Sequence, residues 1–365
     1  MSIALPFESQ AHQEYVLGLK LHWTRRLFPA LYQEYQRLVA ERGSTPASAD
    51  EVEAMMRHST LYQYFGWLER HLQQLKYVHP RGILPALKEQ EALLDAALEA
   101  LPEPRLGSLR LDPSLALPEY YTDVDYHQHP GGVWSDNLDA FAYEYGAQTT
   151  TPTLGDRHAD LHYRFAMAAA QGLAPGAKIL DLGCGFGKST LPFAVLFPAS
   201  EVSGVDLSAP CLKLAHLRAE QEGVKVAFSQ QNAEHTDFAD ASFDLVTSTM
   251  LLHEVPPPAV RAIFREAYRL LRPGGWFISL DFYDPPGGVF GQFIHYGHSV
   301  RNNEPFMRPL CEMDLRQELR EAGFATVRIE AFEEKPGALG SDPAEMPPEW
   351  RFPWALIGGQ KTGKE

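Results

Sequence analysis

Ile179-Leu-Asp-Leu-Gly-Cys-Gly-Phe-Gly-Lys-Ser-Thr190 is an apolar run that ends in an acidic residue and then alternates three glycines ahead of a helix-compatible segment. The run reads as a buried parallel strand over 178–182. After it, Gly183, Gly185 and Gly187 let the chain reverse tightly while a ligand approaches the backbone without meeting a Cβ. This is the pattern of a nucleotide-binding turn. Its spacing is Gly-x-Gly-x-Gly, whereas a dinucleotide fingerprint needs Gly-x-Gly-x-x-Gly, and Lys188 stands where the third glycine would be. Asp181 at the strand end also suits a ligand with an ammonium group, because a carboxylate there repels a pyrophosphate.

Working outward, 201–205 reads as a second strand ending in Asp206, a carboxylate placed to accept hydrogen bonds from two ribose hydroxyls, with Leu207 against a purine face. A third strand over 225–229 leads to Gln231-Asn-Ala-Glu234, where an amide side chain and backbone groups can read an adenine edge. A fourth strand over 243–249 runs into 250–255. Then 270–281 supplies a helix end, the turn Pro273-Gly274-Gly275 and a fifth strand.

From about 159 to 361 this ordered series resembles the class I S-adenosylmethionine-dependent methyltransferase family. The resemblance implies a Rossmann-like α/β sheet of seven strands with the last strand antiparallel, closed by a helix over 314–323 and strands over 326–332 and Trp354–Gln360. It also implies S-adenosylmethionine as cofactor, with Asp181, Gly183 and Gly185 on the methionine portion, Asp206 on the ribose and Leu207 on the adenine face. Asn232 and Ala233 would read the adenine and Thr249 would lie beneath the sulfonium. Family members often carry Asp where this chain has Asn232.

Composition points to a cytoplasmic enzyme. No apolar run approaches a membrane span, and Met1-Ser-Ile-Ala-Leu-Pro-Phe-Glu8 lacks the basic start and small-residue cleavage site of a signal peptide. Cys184, Cys211 and Cys311 have no metal-ligand spacing, so no metal is expected and no disulfide framework. The net charge is −15, and residues 111–365 carry 20 basic against 34 acidic groups, while 1–110 carry 12 against 13. A surface of that sign repels phosphate backbones, which argues against nucleic acid as partner.

The chain before the turn is different in kind. Tyr15, Leu19, Trp23, Leu27, Leu31, Tyr35 and Leu38 recur at three- and four-residue spacing, which predicts a long helix over 10–42. A second pattern begins after Ser48 as N-cap and runs to Leu75, and a third covers 86–101. Residues 1–101 are therefore expected to form an all-helical N-terminal domain, suited to packing or to homodimer formation through its amphipathic faces. Residues 102–118 read as a linker with four prolines. The segment that follows, to about 155, is dense in Tyr, His and Asp and reads as an active-site lid over a methyltransferase domain at 156–365. Tyr121, His127, His129 and Trp134 are its candidate substrate contacts.

Methyl transfer to a nucleophilic acceptor is mainly a matter of alignment, with a general base needed only where the acceptor must lose a proton. The acceptor pocket of an open α/β sheet lies beyond the C-terminal strand ends. There His253 and Glu254 face Asp281, Tyr283 and Asp284. A long loop over 287–307 is expected to close it, adding His295, Tyr296, His298 and Arg301. His253, Tyr283 and His295 are the candidate catalytic side chains, and Tyr296, His298 and Arg301 candidate substrate contacts. The expected activity is methyl transfer to an N, O or S atom of a small molecule. The alternatives are a protein substrate, a catalytically silent cofactor-binding scaffold and an NAD-dependent oxidoreductase.

Overall fold

The computed structural model describes residues 4–100, 106–132, 135–147, 160–333 and 346–363. Trp134, parts of the expected lid and the start of the expected linker lie outside the described residues.

Among the described residues eight strands form one sheet: β1 (Ser108–Arg110), β2 (Lys178–Leu182), β3 (Glu201–Asp206), β4 (Val226–Gln230), β5 (Phe243–Thr249), β6 (Leu271–Phe282), β7 (Thr326–Ala331) and β8 (Trp354–Gln360). Their spatial order is β1-β4-β3-β2-β5-β6-β8-β7, parallel except that β8 runs antiparallel to both β6 and β7. The expectation of seven strands misses β1, which lies within the proline-rich stretch and pairs in parallel with β4. Three residues carry no period long enough to read. The edge of β4 selects them, because its unpaired backbone groups need partners.

Helices cover both faces because βαβ crossovers place them there. One core cluster joins Leu180, Val246, Phe264, Phe277 and Leu319 on one side of the sheet. The other joins Phe165, Ile179, Phe193, Leu212, Phe228 and Leu280. The strand order reverses on either side of β2, so the C-terminal ends of β2, β3 and β5 open onto a crevice.

Residues 7–99 are helical, as the spacing predicts, with breaks the periodicity does not show. The first stretch is Phe7–His22, a wider π turn over Trp23–Leu27, and Phe28–Arg42. The second divides into Ala49–Met56 and Thr60–Tyr77, whose N-caps Ser48 and Ser59 accept the N–H of Glu51 and Tyr62. The third divides into Ile83–Lys88 and Glu91–Glu99. No helix among the described residues is long and apolar enough to cross a membrane.

The segment 287–307 is a correction. It is not a loop but mostly the helix Gly288–Asn302, which buries Phe290, Phe293, Ile294, His295 and His298. Its glycines masked that period. Gly291 is there because a Cβ would come within 1.9 Å of the Pro286 carbonyl oxygen. Phe290 packs among Phe28, Tyr32 and Tyr35, and Phe293 against Tyr62, so the N-terminal helices and this helix share one apolar cluster.

Candidate functional site

The crevice is a cleft lined by Gly183, Gly185, Asp206, Leu207, Asn232, Ala233 and Thr249, together with Met250, Glu254 and four tyrosines, Tyr120, Tyr121, Tyr126 and Tyr143. Its floor is the glycine turn. The N–H groups of Gly183 and Cys184 donate to the Val205 carbonyl at 2.8 and 3.0 Å, which ties the turn to the end of β3. Gly183 has φ +69°, which disfavours any side chain there, and a Cβ would meet Leu251 Cδ1 at 2.8 Å and push it aside. Asp206 holds the turn from the other side, accepting Gly185 N–H and Ser208 N–H at 2.8 Å each. Burial raises its carboxyl, and these backbone hydrogen bonds partly offset the rise.

Asp181 is placed otherwise. It is fully buried beneath the turn, accepting hydrogen bonds from Ser189 and Thr190 at 2.7 and 2.6 Å and from Thr247 at 3.1 Å. Burial pushes its carboxyl up to about 6 against those three hydroxyls. Asn232 accepts the N–H of Glu234 at 2.9 Å, an Asx turn that presents the 232–233 backbone to the cleft. Thr249 Oγ1 is buried without a hydrogen-bond partner among the described residues, and Met250 follows in the left-handed region at φ +55°. A strained residue and an orphaned hydroxyl at one strand end fit a site shaped for a ligand. A glycine cradle, a half-buried carboxylate and this hydroxyl suit an adenosyl sulfonium.

The tyrosine wall comes from the Tyr/His/Asp-rich segment and from the helix Asn137–Ala147. Tyr126 OH donates to the Glu254 carbonyl at 2.8 Å, and Tyr120 OH to Glu234 at 2.7 Å. Tyr143 meets Phe186 of the glycine turn edge-on at 5.1 Å. Of the candidate substrate contacts, Tyr121 lines the cleft. His127 lies behind it, 3.5 Å from Glu254 and 3.2 Å from Glu304. His129 is buried 3.0 Å from Asp139, and Tyr296 lies under the Arg308 guanidinium on a separate groove. His298 and Arg301 both turn to the buried Glu69 of the N-terminal helices.

The candidate catalytic side chains are not on the cleft surface. His253 lies one layer back, its Nδ1 2.6 Å from Asp281 Oδ1 and its Nε2 3.4 Å from Glu254. Burial alone would lower this imidazole, but the charge and hydrogen bond of Asp281, with Glu254, hold it well above its usual value. His295 is buried edge-on to Phe282, and burial, with His298, pushes it down to about 3. Tyr283 donates to the Met313 carbonyl at 3.3 Å. Sequence reasoning did not single out Glu304 or Glu69, because isolated glutamates carry no pattern.

The sequence profile of a methyltransferase domain matches residues 179–275, the span from β2 to the Pro-Gly-Gly turn. An uncharacterised methyltransferase, sll0829, of Synechocystis is 32% identical over 156 residues, covering 43% of this chain and 70% of that protein. A demethylmenaquinone methyltransferase of Lactiplantibacillus plantarum is 37% identical over 151 residues, covering 40% of this chain and 62% of the relative. A ubiquinone biosynthesis O-methyltransferase of Thiobacillus denitrificans is 40% identical over 104 residues, covering 28% and 42%. The similarity is thus concentrated on the sheet and its cofactor turn, and this chain spans less than two thirds of the last two relatives. With the glycine cradle, Asp206 and the strand order all in place around that matched core, the chain belongs to the class I S-adenosylmethionine-dependent methyltransferase family.

Proposed function

We propose that the cleft transfers a methyl group to an N, O or S atom of a small molecule. The observation that carries this is the wall that Tyr120, Tyr121, Tyr126 and Tyr143 form around the cleft, beside Gly183, Asp206, Thr249 and Glu254. Aromatic walls around a few convergent polar groups are the lining of small-molecule sites. The relatives named for demethylmenaquinone and ubiquinone biosynthesis support the same substrate class.

When bound, S-adenosylmethionine supplies an electrophilic methyl group on a sulfonium. The chain's own residues would hold and align. Gly183 and Gly185 present backbone to the methionine portion, Asp206 accepts from the ribose, and the 231–233 backbone with Leu207 encloses the adenine. Thr249 offers its unpaired hydroxyl oxygen next to the reacting centre. The tyrosines exclude water and hold an apolar or aromatic acceptor. Glu254 lines the cleft and would orient an acceptor bearing a hydroxyl or an ammonium, with His253 and Asp281 positioning it from behind.

The experiment is incubation of the full chain with methyl-labelled S-adenosylmethionine and fractionated cell extract. Label is expected in small molecules, whose masses identify the acceptor. Label in protein alone would overturn the small-molecule reading, and cofactor binding with no transfer from any fraction would favour the silent scaffold.

A further inference from the structure

Behind Glu254 the fold gathers imidazoles and carboxylates that methyl transfer as described does not require. They come from the turn Leu252–Glu254 after β5, from the strained segment Tyr126–Gln128, and from the helix Gly288–Asn302 with Glu304 just beyond it. Ligand atoms of His253, Glu254 and Glu304 all lie within 4.8 Å of one another. His253 Nε2 is 3.4 Å and His127 Nε2 3.5 Å from the same Glu254 Oε1, while His298 Nε2 is 3.8 Å from Glu304 Oε1.

These separations are longer than ordinary N–H···O bonds of ~2.7–3.2 Å. The first two match the ~3.3–3.5 Å edge of a tetrahedron whose ligand atoms each sit ~2.0–2.1 Å from a shared ion, while the third is wider and His127 Nδ1 stands 3.2 Å from Glu304 Oε1. His253 and His298 are also each held at the far nitrogen by a buried carboxylate. His253 Nδ1 contacts Asp281, itself fixed by the N–H groups of Leu252 and Phe282 at 2.7 Å each. His298 Nδ1 contacts Glu69, which Arg301 also holds. Carboxylate-held imidazoles that turn their other nitrogen inward are the arrangement seen around bound metals.

Charge points the same way. Arg301 pairs with Glu69, which leaves the carboxylates of Asp281, Glu254 and Glu304 facing His127, His253 and His298 with no lysine or arginine bonded to them among the described residues. Buried carboxylates are costly unless their charge is balanced, which in the ion-free protein falls to those imidazoles. A dication supplies two positive charges while the imidazoles stay neutral.

We propose that His253, Glu254 and Glu304 bind a divalent metal ion, with His127 turning one ring nitrogen onto it. Imidazole and carboxylate donors without thiolate select first-row ions such as zinc, manganese or iron(II) over magnesium or calcium. Because Glu254 also lines the cofactor cleft, the ion would lie in the wall beside the reacting centre, where it can bind the acceptor's oxygen or nitrogen and favour its deprotonated form. That role rests on the methyl-transfer reading, whereas the binding of the ion does not.

The test strips the full-length protein with a chelator and titrates it with MnCl2, followed by electron paramagnetic resonance, and with ZnCl2, followed by calorimetry. Expected are one ion per chain and nitrogen couplings from imidazole in the pulsed Mn2+ spectrum. Glu304→Gln and His253→Gln should each weaken binding at least tenfold, and His253→Gln should also remove one nitrogen coupling. The exposed His71→Gln should bind as wild type does. Thermal unfolding and S-adenosylmethionine titration of each variant establish that it is folded. Absence of a stoichiometric site, or Mn2+ affinity in folded Glu304→Gln within threefold of wild type, overturns the proposal and leaves the cluster as an internal ion-pair network. A bound ion in a protein that methylates nothing would overturn the functional reading and keep the site.

Discussion

Replacing Asp206 by Asn separates its two jobs. In the structure one carboxylate oxygen accepts Gly185 N–H and the other Ser208 N–H, both at 2.8 Å. Asparagine has one oxygen, so whichever way it turns, an NH2 group faces one of those N–H donors. The loss is one charge-assisted hydrogen bond, ~1.5–3 kcal/mol, moderated because burial already disfavours the ionised carboxyl. The glycine turn is thereby loosened, and unliganded stability should fall by ~1–2 kcal/mol. Binding of S-adenosylmethionine loses more, since the ribose hydroxyls also lose a charged acceptor. A total of ~2–3 kcal/mol corresponds to a Kd raised roughly 30- to 150-fold. The product S-adenosylhomocysteine carries the same ribose and should weaken by the same factor. Calorimetric titration of both ligands, with thermal unfolding as the control for folding, measures this. A Kd within threefold of wild type in a folded variant would refute the assignment of Asp206 to the ribose.

Asp181 gives a pH prediction. Its carboxyl is pushed up to about 6 from an ordinary 3.8, so the protonated form is stabilised in the folded state. That contribution is fully present below about pH 3.8 and lost as pH rises through about 6. At pH 8 the buried charge therefore costs ~3 kcal/mol relative to acid. Asp181→Asn should gain about that much on wild type between pH 4 and pH 8 in denaturant unfolding, and an unchanged difference would refute the burial argument. Gly183→Ala forces φ +69° on a residue with a Cβ and pushes on Leu251, so we expect ~1–2 kcal/mol lost stability and weaker cofactor binding, read by unfolding and calorimetry. Phe290→Ala removes the ring that Phe28, Tyr32 and Tyr35 pack around and should cost ~3–5 kcal/mol; a loss under ~1 kcal/mol would mean the N-terminal helices do not depend on it.

The cofactor half of the fold was legible because its information is local. A strand of five apolar-rich residues, glycines that demand positive φ and a carboxylate at a strand tip are each written within a few consecutive positions. The order of those pieces then implied the sheet. The helix Gly288–Asn302 was illegible for the converse reason. Its glycines lower intrinsic helix propensity, and it forms because Phe290, Phe293 and Ile294 find an apolar partner more than two hundred residues away. Strand β1 likewise exists only because an edge was waiting for it.

Side-chain roles divide along the same line. The sequence by itself determined the turn, most of the parallel strands and the gathering of Gly183, Gly185, Asp206, Leu207, Asn232, Ala233 and Thr249 at one cleft, since backbone conformation and period are properties of neighbours in the chain. Tertiary structure alone decided that Asp181 turns beneath the floor to three hydroxyls, and that His253 stands behind Glu254 on Asp281. It also decided that His127, Glu254 and Glu304 meet. Apart from Ser189 and Thr190, which stand close to Asp181 in the chain, those groups come from distant segments, and which polar groups share a buried space follows from how the elements pack, a matter that no spacing along the chain records.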